Sequence, residues 1–285
     1  MTALRDLVAE ELALPVDARV TGMAAAIAAE RGDSSRAVLF YGSCLRQSEL
    51  DGLMLDFYLV VSDYRAAYGK TWMATANRLV PPNVFYFEHA GLVAKYAVLS
   101  EADFHRLNGP ETSNVSVWAR FAQPSRLVWA ADARARDTAV DAVSRAAPTL
   151  LGAAGRADGE TPLDWWRRAF ALTYSAELRA ERKERGQSVV DADRERYVRF
   201  TEPAAAALER IPKGSWRRRR IEGKMLSVLR LAKASATFAG GADYIAWKIN
   251  HHAGTEIALK PWQRRHPLLA AVTLLPKLLK SGAVR

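Results

Sequence analysis

Hydrophobic positions change their period along the chain. Between Val16 and Arg31 they recur at Val20, Met23 and Ile27, the spacing of one helical face, and the pattern stops at Gly32. Ala37-Val38-Leu39-Phe40-Tyr41 is a continuous apolar run of strand length that leads into Gly42-Ser43. Met54 to Val61 is β-branched and aromatic and predicts a second strand. Phe85 to Glu88 and Leu92 to Leu99 flank Ala90-Gly91 and predict a hairpin. Ser100 with Asp103 carries a helix N-cap signature. Leu127-Val128-Trp129 predicts a last short strand, and from about Thr138 the pattern is helical almost without interruption.

The expected fold is therefore α+β, a mixed sheet with helices followed by an all-helical region. Gly152-Ala153-Ala154-Gly155-Arg156-Ala157-Asp158-Gly159 reads as a linker. It divides the chain into a sheet-containing domain over 1–151, a helical domain over 160–250 and a basic amphipathic C-terminal segment over 251–285.

Composition narrows the class. In 285 residues, 49% hydrophobic and 25% charged positions describe a globular chain with ample core. Disordered, collagen-like and disulfide-stapled classes are excluded. The single cysteine, Cys44, has no internal partner, and no Cys/His cluster has zinc-site spacing. Met1 to Asp6 enters an acidic amphipathic pattern with no signal-peptide block, so a cytoplasmic location is expected.

Charge is segregated. The net charge is +10, yet residues 212–285 hold 15 Lys and Arg against 3 Asp and Glu. Such polarity points to an anionic partner or to a solvated basic face. No run approaches the ~20 apolar residues of a membrane span. Leu268 to Leu275, bracketed by Pro267, Pro276 and cations, has the pattern of a segment lying in a headgroup interface or of a helix docked on the core.

The sharpest chemical feature is a strand ending in Gly42-Ser43 with Asp56 on the next strand. A glycine–serine bend opening a helix offers backbone N–H groups and a hydroxyl to phosphate oxygens. An aspartate facing that bend would hold Mg²⁺ against the same phosphates.

Tyr41-Gly42-Ser43 with Leu55-Asp56-Phe57 resembles the glycine–serine and aspartate motif of DNA-polymerase-β-like nucleotidyltransferases. The fuller pattern resembles the mitochondrial-type phosphatidate cytidylyltransferases, the translocator assembly and maintenance family. Lys95-Tyr96-Ala97-Val98-Leu99-Ser100 matches that family's Lys-Tyr-Gly-Val-(Ile/Val)-Ser strand with Ala for Gly. Arg120-Phe121-Ala122-Gln123-Pro124 is similar to its Arg-Leu-x-Lys-Pro segment, and Leu172 to Arg179 to its Leu-Ser-Tyr helix motif, with Glu177 for Asp. Lys233 to Gly241 resembles its Lys-Gly-x-x-(Ser/Thr)-Ala-Gly region. The matches occur in the family's order over residues 37–250. One departure matters: the usual second strand carboxylate is replaced by Tyr58.

The resemblance implies a nucleotidyltransferase-like mixed sheet and the reaction of CTP with phosphatidic acid to give CDP-diacylglycerol and pyrophosphate. Asp56 would hold Mg²⁺ or another divalent cation, with Asp51 as first candidate for a second ligand and Asp63 and Glu88 as fallbacks. Tyr41, Gly42, Ser43 and Lys95 would bind the nucleotide, with Lys95 also counted as catalytic beside Asp56 and Asp51. Arg120 and Arg179 would hold the lipid phosphate, Arg179 having a rival role in an ion pair with Glu177 or another acid of its helix. The basic residues 212–285 would dock an anionic membrane surface, with the protein peripheral on the inner face of the cytoplasmic membrane. Competing readings are a nucleotidyltransferase acting on RNA or a small molecule, which the Arg217 to Arg220 run would serve, and an inactive membrane-binding scaffold. Nucleic acid is not the expected partner, because no aromatic-rich RNA motif is present.

Overall fold

The structure, a computed structural model, describes residues 3–47, 49–177, 189–208 and 214–237. Helices α1 (Ala3–Leu12) and α2 (Ala18–Ala29) precede β1 (Ser35–Tyr41). A single 3₁₀ turn (Ser43–Arg46) and a loop lead to β2 (Met54–Val61). Then come α3 (Tyr64–Tyr68), α4 (Thr71–Leu79), β3 (Asn83–His89), β4 (Leu92–Ser100), α5 (Glu101–Asn108), α6 (Trp118–Phe121) and β5 (Ser125–Ala130). The rest is helical: α7 (Ala133–Ser144), α8 (Ala146–Ala154), α9 (Pro162–Ala176), α10 (Arg194–Ala206) and α11 (Trp216–Thr237).

The expected strands and hairpin are present, and the fold is α+β with a five-stranded mixed sheet and a largely helical C-terminal region. The strand order is β3-β4-β2-β1-β5. β2 and β4 are parallel and every other neighbouring pair is antiparallel. A parallel pair cannot be closed by a tight turn. The chain between β2 and β4 therefore spends α3, α4 and β3 on the crossover. The hairpin turn falls at Ala90-Gly91, with φ of 49° and 79°, and the Ser100 hydroxyl accepts from the Asp103 amide as the start of α5.

Alternation along the strands gives the sheet two buried faces. One carries Val38, Phe40, Phe57, Leu59 and Val98 and packs beneath α2, α3 and α4. The other carries Leu39, Tyr58, Val60 and Leu99 and is continuous with Trp118, Leu150, Trp166, Phe170 and Tyr197 from the helical region. This second core contains residues from both sides of the boundary expected near residue 151. The Gly152–Gly159 stretch holds the end of α8 and a turn that Arg168 pins, donating to the Ala154 carbonyl at 2.9 Å and to Glu160 at 2.7 Å. A buried ion pair between Arg196 and Glu11 ties α10 to α1, and Arg196 also donates to the Ala122 carbonyl at 3.1 Å.

Helix α11 is amphipathic in an unexpected sense. Its cations Arg219, Arg230 and Lys233 are buried or half-buried, whereas Ile221, Met225, Val228 and Leu229 are exposed, Ile221 to 61%. Gly223 allows this helix to approach the end of α9, because a Cβ at that position would run into the Ala176 carbonyl. No helix among the described residues is long and apolar enough to cross a membrane. The expected C-terminal segment 251–285 lies outside the described residues, as does Phe238 to Gly241 of the last motif.

Candidate functional site

The β pairing lines up one row of side chains across all five strands. Tyr86 lies opposite Lys95, Lys95 opposite Asp56, Asp56 opposite Tyr41, and Tyr41 opposite Ser125. Cross-strand partners point to the same face. The row shares the face covered by the helical region, at the end of β1 where the chain turns at Gly42.

Gly42 has φ 95° and ψ −167°, a conformation that a side chain makes costly. It also needs to be small, since a Cβ there would sit 3.3 Å from Asp56 Oδ2. The bend and the aspartate expected to face it are thus in contact. Asp56 is not sealed in the interior, its side chain being 21% exposed, and Lys95 Nζ lies 2.9 Å from its Oδ1. Ser43 is exposed and opens only the single 3₁₀ turn. The helix expected to start at Ser43 does not form beyond that turn, so no macrodipole adds to the bend.

Tyr58, at the position of the missing second carboxylate, is buried. Its ring centroid lies 5.2 Å from that of Tyr41 and 5.1 Å from that of Phe121. Burial raises the Tyr58 pKa, while the charges of Arg120 and Arg230 work the other way.

The other proposed acids have structural partners. Asp51 is exposed and pairs at 3.0 Å with Arg19 of α2, a helix on the opposite face of the sheet from Asp56. Asp63 caps α3 through the Arg65 amide at the far end of β2 from the bend. Glu88 accepts from the Tyr86 hydroxyl. Among the described residues, no group of three or more His, Cys, Asp and Glu gathers. Mg²⁺ is commonly held by one or two carboxylates with water and substrate phosphates completing the shell. Asp56 meets that lower limit, with Oδ2 facing the bend and Oδ1 engaged by Lys95.

Arg120, on α6, reaches the same region. Burial opposes its charge, but Glu177, Tyr58, Tyr41 and Asp56 outweigh that cost and hold its pKa above the ordinary arginine value. Tyr41 is pushed well up, first by burial and then by the Asp56 charge, so its hydroxyl stays protonated at physiological pH. Arg120 donates to the Ser116 carbonyl and stands 3.6 Å from Glu177 Oε1. The same Glu177 oxygen is 3.9 Å from Arg230 of α11. Arg179, the other proposed lipid-phosphate ligand, lies outside the described residues.

Sequence reasoning assigned neither Arg230 nor the role of Glu177. The available signal was helical: Arg219, Gly223, Leu226, Arg230 and Lys233 recur at three- and four-residue spacing, a face with two cations at the very end where the site lies. Cys44 beside the bend is buried, and burial raises its thiol pKa, so it has the environment of a packing residue and not of a nucleophile.

No protein-family model and no curated protein matches the chain.

Proposed function

We propose that this protein is a phosphatidate cytidylyltransferase of the nucleotidyltransferase kind, joining CTP to phosphatidic acid with release of pyrophosphate. The observation that carries the reading is the contact between the Gly42 bend and Asp56 at a part-open end of the sheet, with Lys95 and Arg120 beside them. The mixed sheet, in which antiparallel β1 and β2 flank the bend, is the setting that the motif resemblance implies.

The chemistry needs little acid–base assistance. A phosphate monoester has a second pKa of about 6, so its dianion is a competent nucleophile at neutral pH. It attacks the α-phosphorus, the new P–O bond forms, and the bond to pyrophosphate breaks. The obstacle is mutual repulsion of two polyanions, which positioned positive charge offsets. Lys95 and Arg120 supply fixed cations, the Gly42–Ser43 bend allows a phosphate close to the backbone, and Tyr41 offers a neutral hydroxyl. A divalent cation held by Asp56 would supply further charge neutralisation on the triphosphate.

An anionic bilayer is the proposed partner surface. The exposed Ile221, Met225, Val228 and Leu229 stripe, with exposed Arg217, Arg218, Arg220 and Lys224 on the same helix, suits shallow contact with lipid. Each cation near such a surface contributes about 1 kcal/mol. Transfer of label from CTP to phosphatidic acid vesicles in Mg²⁺ tests the reading: product at the mobility of CDP-diacylglycerol supports it, and transfer only to RNA, or none at all, refutes it.

A further inference from the structure

Three positive side chains converge where α11 crosses the sheet edge. Arg120 and Arg230 approach a single oxygen of Glu177, at 3.6 and 3.9 Å, both longer than a hydrogen bond. One carboxylate oxygen thus faces two guanidinium groups. Arg230 donates its Nε to the Pro81 carbonyl at 2.7 Å, while its Nη2 is buried and finds no hydrogen-bond acceptor among the described residues. One turn further on, Lys233 donates to the Val80 carbonyl. Arg230 is largely desolvated, its side chain being 17% exposed. Glu177 stands near Nη1 and leaves Nη2 unmet, and a buried donor without an acceptor is costly.

Resting on the transferase reading, we propose that Arg230 and Lys233, together with Arg120, form the binding site for a phosphate monoester, the acceptor of the transfer. The cluster adjoins the Asp56 row through Arg120, whose charge feels both Asp56 and Glu177. Its side chains come from α6 and α11, whereas the Gly42–Ser43 position given to the nucleotide follows β1. A phosphomonoester dianion fits the donor set: the planar fork of Arg230 suits two phosphate oxygens, and the ammonium of Lys233 supplies a point charge. Burial and the Arg230 charge lower the Lys233 pKa to about 7, so an anion between them would restore its proton. The helix also explains how a lipid acceptor arrives, since its outward apolar stripe and its inward cations belong to one element.

The test is direct titration of the whole protein, in the absence of turnover, with dihexanoyl phosphatidic acid, inorganic phosphate, dihexanoyl phosphatidylglycerol and CTP separately. Arg230→Ala is expected to weaken phosphatidic acid binding about tenfold or more, the loss of a charge-assisted hydrogen bond, and Lys233→Gln severalfold. CTP affinity stays within twofold in both, and the phosphodiester phosphatidylglycerol does not compete. Inorganic phosphate binding as tightly as phosphatidic acid keeps the site and assigns it to free phosphate. Wild-type affinity for phosphatidic acid in folded Arg230→Ala, or an equal loss for CTP, overturns the proposal. Should circular dichroism show that Arg230→Ala is unfolded, Lys233→Gln and Arg230→Lys carry the same comparison. Phosphatidic acid binding without any transfer from CTP would defeat the transferase reading and leave this site standing. Transfer with an unchanged KM for phosphatidic acid in Arg230→Ala would do the reverse.

Discussion

Replacing Gly42 with alanine tests the central geometry. The backbone at φ 95° and ψ −167° belongs to glycine, and forcing a side chain into such a region costs about 1–3 kcal/mol. The added methyl would also sit 3.3 Å from Asp56 Oδ2 and 3.6 Å from its Cβ, so the carboxylate must yield by a few tenths of an ångström. For a chain of this size, about 2–4 °C of melting temperature accompanies each kcal/mol, giving an expected fall of roughly 2–12 °C. Gly52→Ala is the matched control. Gly52 also has positive φ, 74°, yet a Cβ there meets nothing within 4 Å. Both variants should lose stability, but only Gly42→Ala should disturb Asp56. Scanning calorimetry reads the first effect, and the rate of cytidylyl transfer reads the second. A Gly42→Ala protein that melts with the wild type, or that transfers as fast as Gly52→Ala, would refute the claim that the bend and Asp56 form one site.

Asp56→Asn should abolish transfer while keeping a cooperative thermal transition, since the residue is part-exposed and its removal leaves Lys95 accessible to water; retained turnover would dismiss Asp56 from the chemistry. Glu11→Ala should cost about 3–5 kcal/mol in urea unfolding, because it strands the buried Arg196 charge; a change under 1 kcal/mol would mean that solvent reaches the pair. Gly223→Ala should loosen α11 from α9, seen as faster amide exchange along α11, because its methyl meets the Ala176 carbonyl; unchanged exchange would rule out the close crossing. Lys233 should titrate near 7 in a ¹³C-methyl-lysine spectrum, lowered first by burial and then by Arg230. Between that value and its ordinary 10.5 the unfolded chain binds more protons, so the group's contribution to stability rises with pH across that window. A midpoint near 10 would show that water reaches the ammonium.

Much of the sheet was legible because its signals are local. Met54–Val61 is a strand by composition alone, and Ala90-Gly91 between two apolar runs is a hairpin turn by backbone preference. The contact of Gly42 with Asp56 was legible for the same reason: a strand, a bend and a return strand place those two positions side by side. Long-range pairing was not legible. Asp51 stands beside Gly52 in a loop that reads like a site rim, but an arginine 32 residues earlier engages it. The parallel partnership of β2 with β4, which sets Lys95 against Asp56, leaves no mark within either segment. Helix α11 misled through its composition. The Arg217 to Arg220 run reads as a set of phosphate contacts, whereas Arg219 is fully buried, its guanidinium 5.5 Å from the Trp216 ring centre. Only packing decides which cations of such a helix meet water.

The parallel pairing of β2 and β4 has a consequence for how the proposed site is assembled. Lys95 becomes the neighbour of Asp56 only after a segment containing two helices and a whole strand has been threaded back to the sheet, and such non-local pairings form slowly. A one-residue slip along β4 would substitute Ala94 or Tyr96 and turn the lysine to the other side. A half-finished chain therefore owns the glycine bend without its counter-charge, and during refolding the proposed transfer should begin after hairpin formation, together with closure of the central strands.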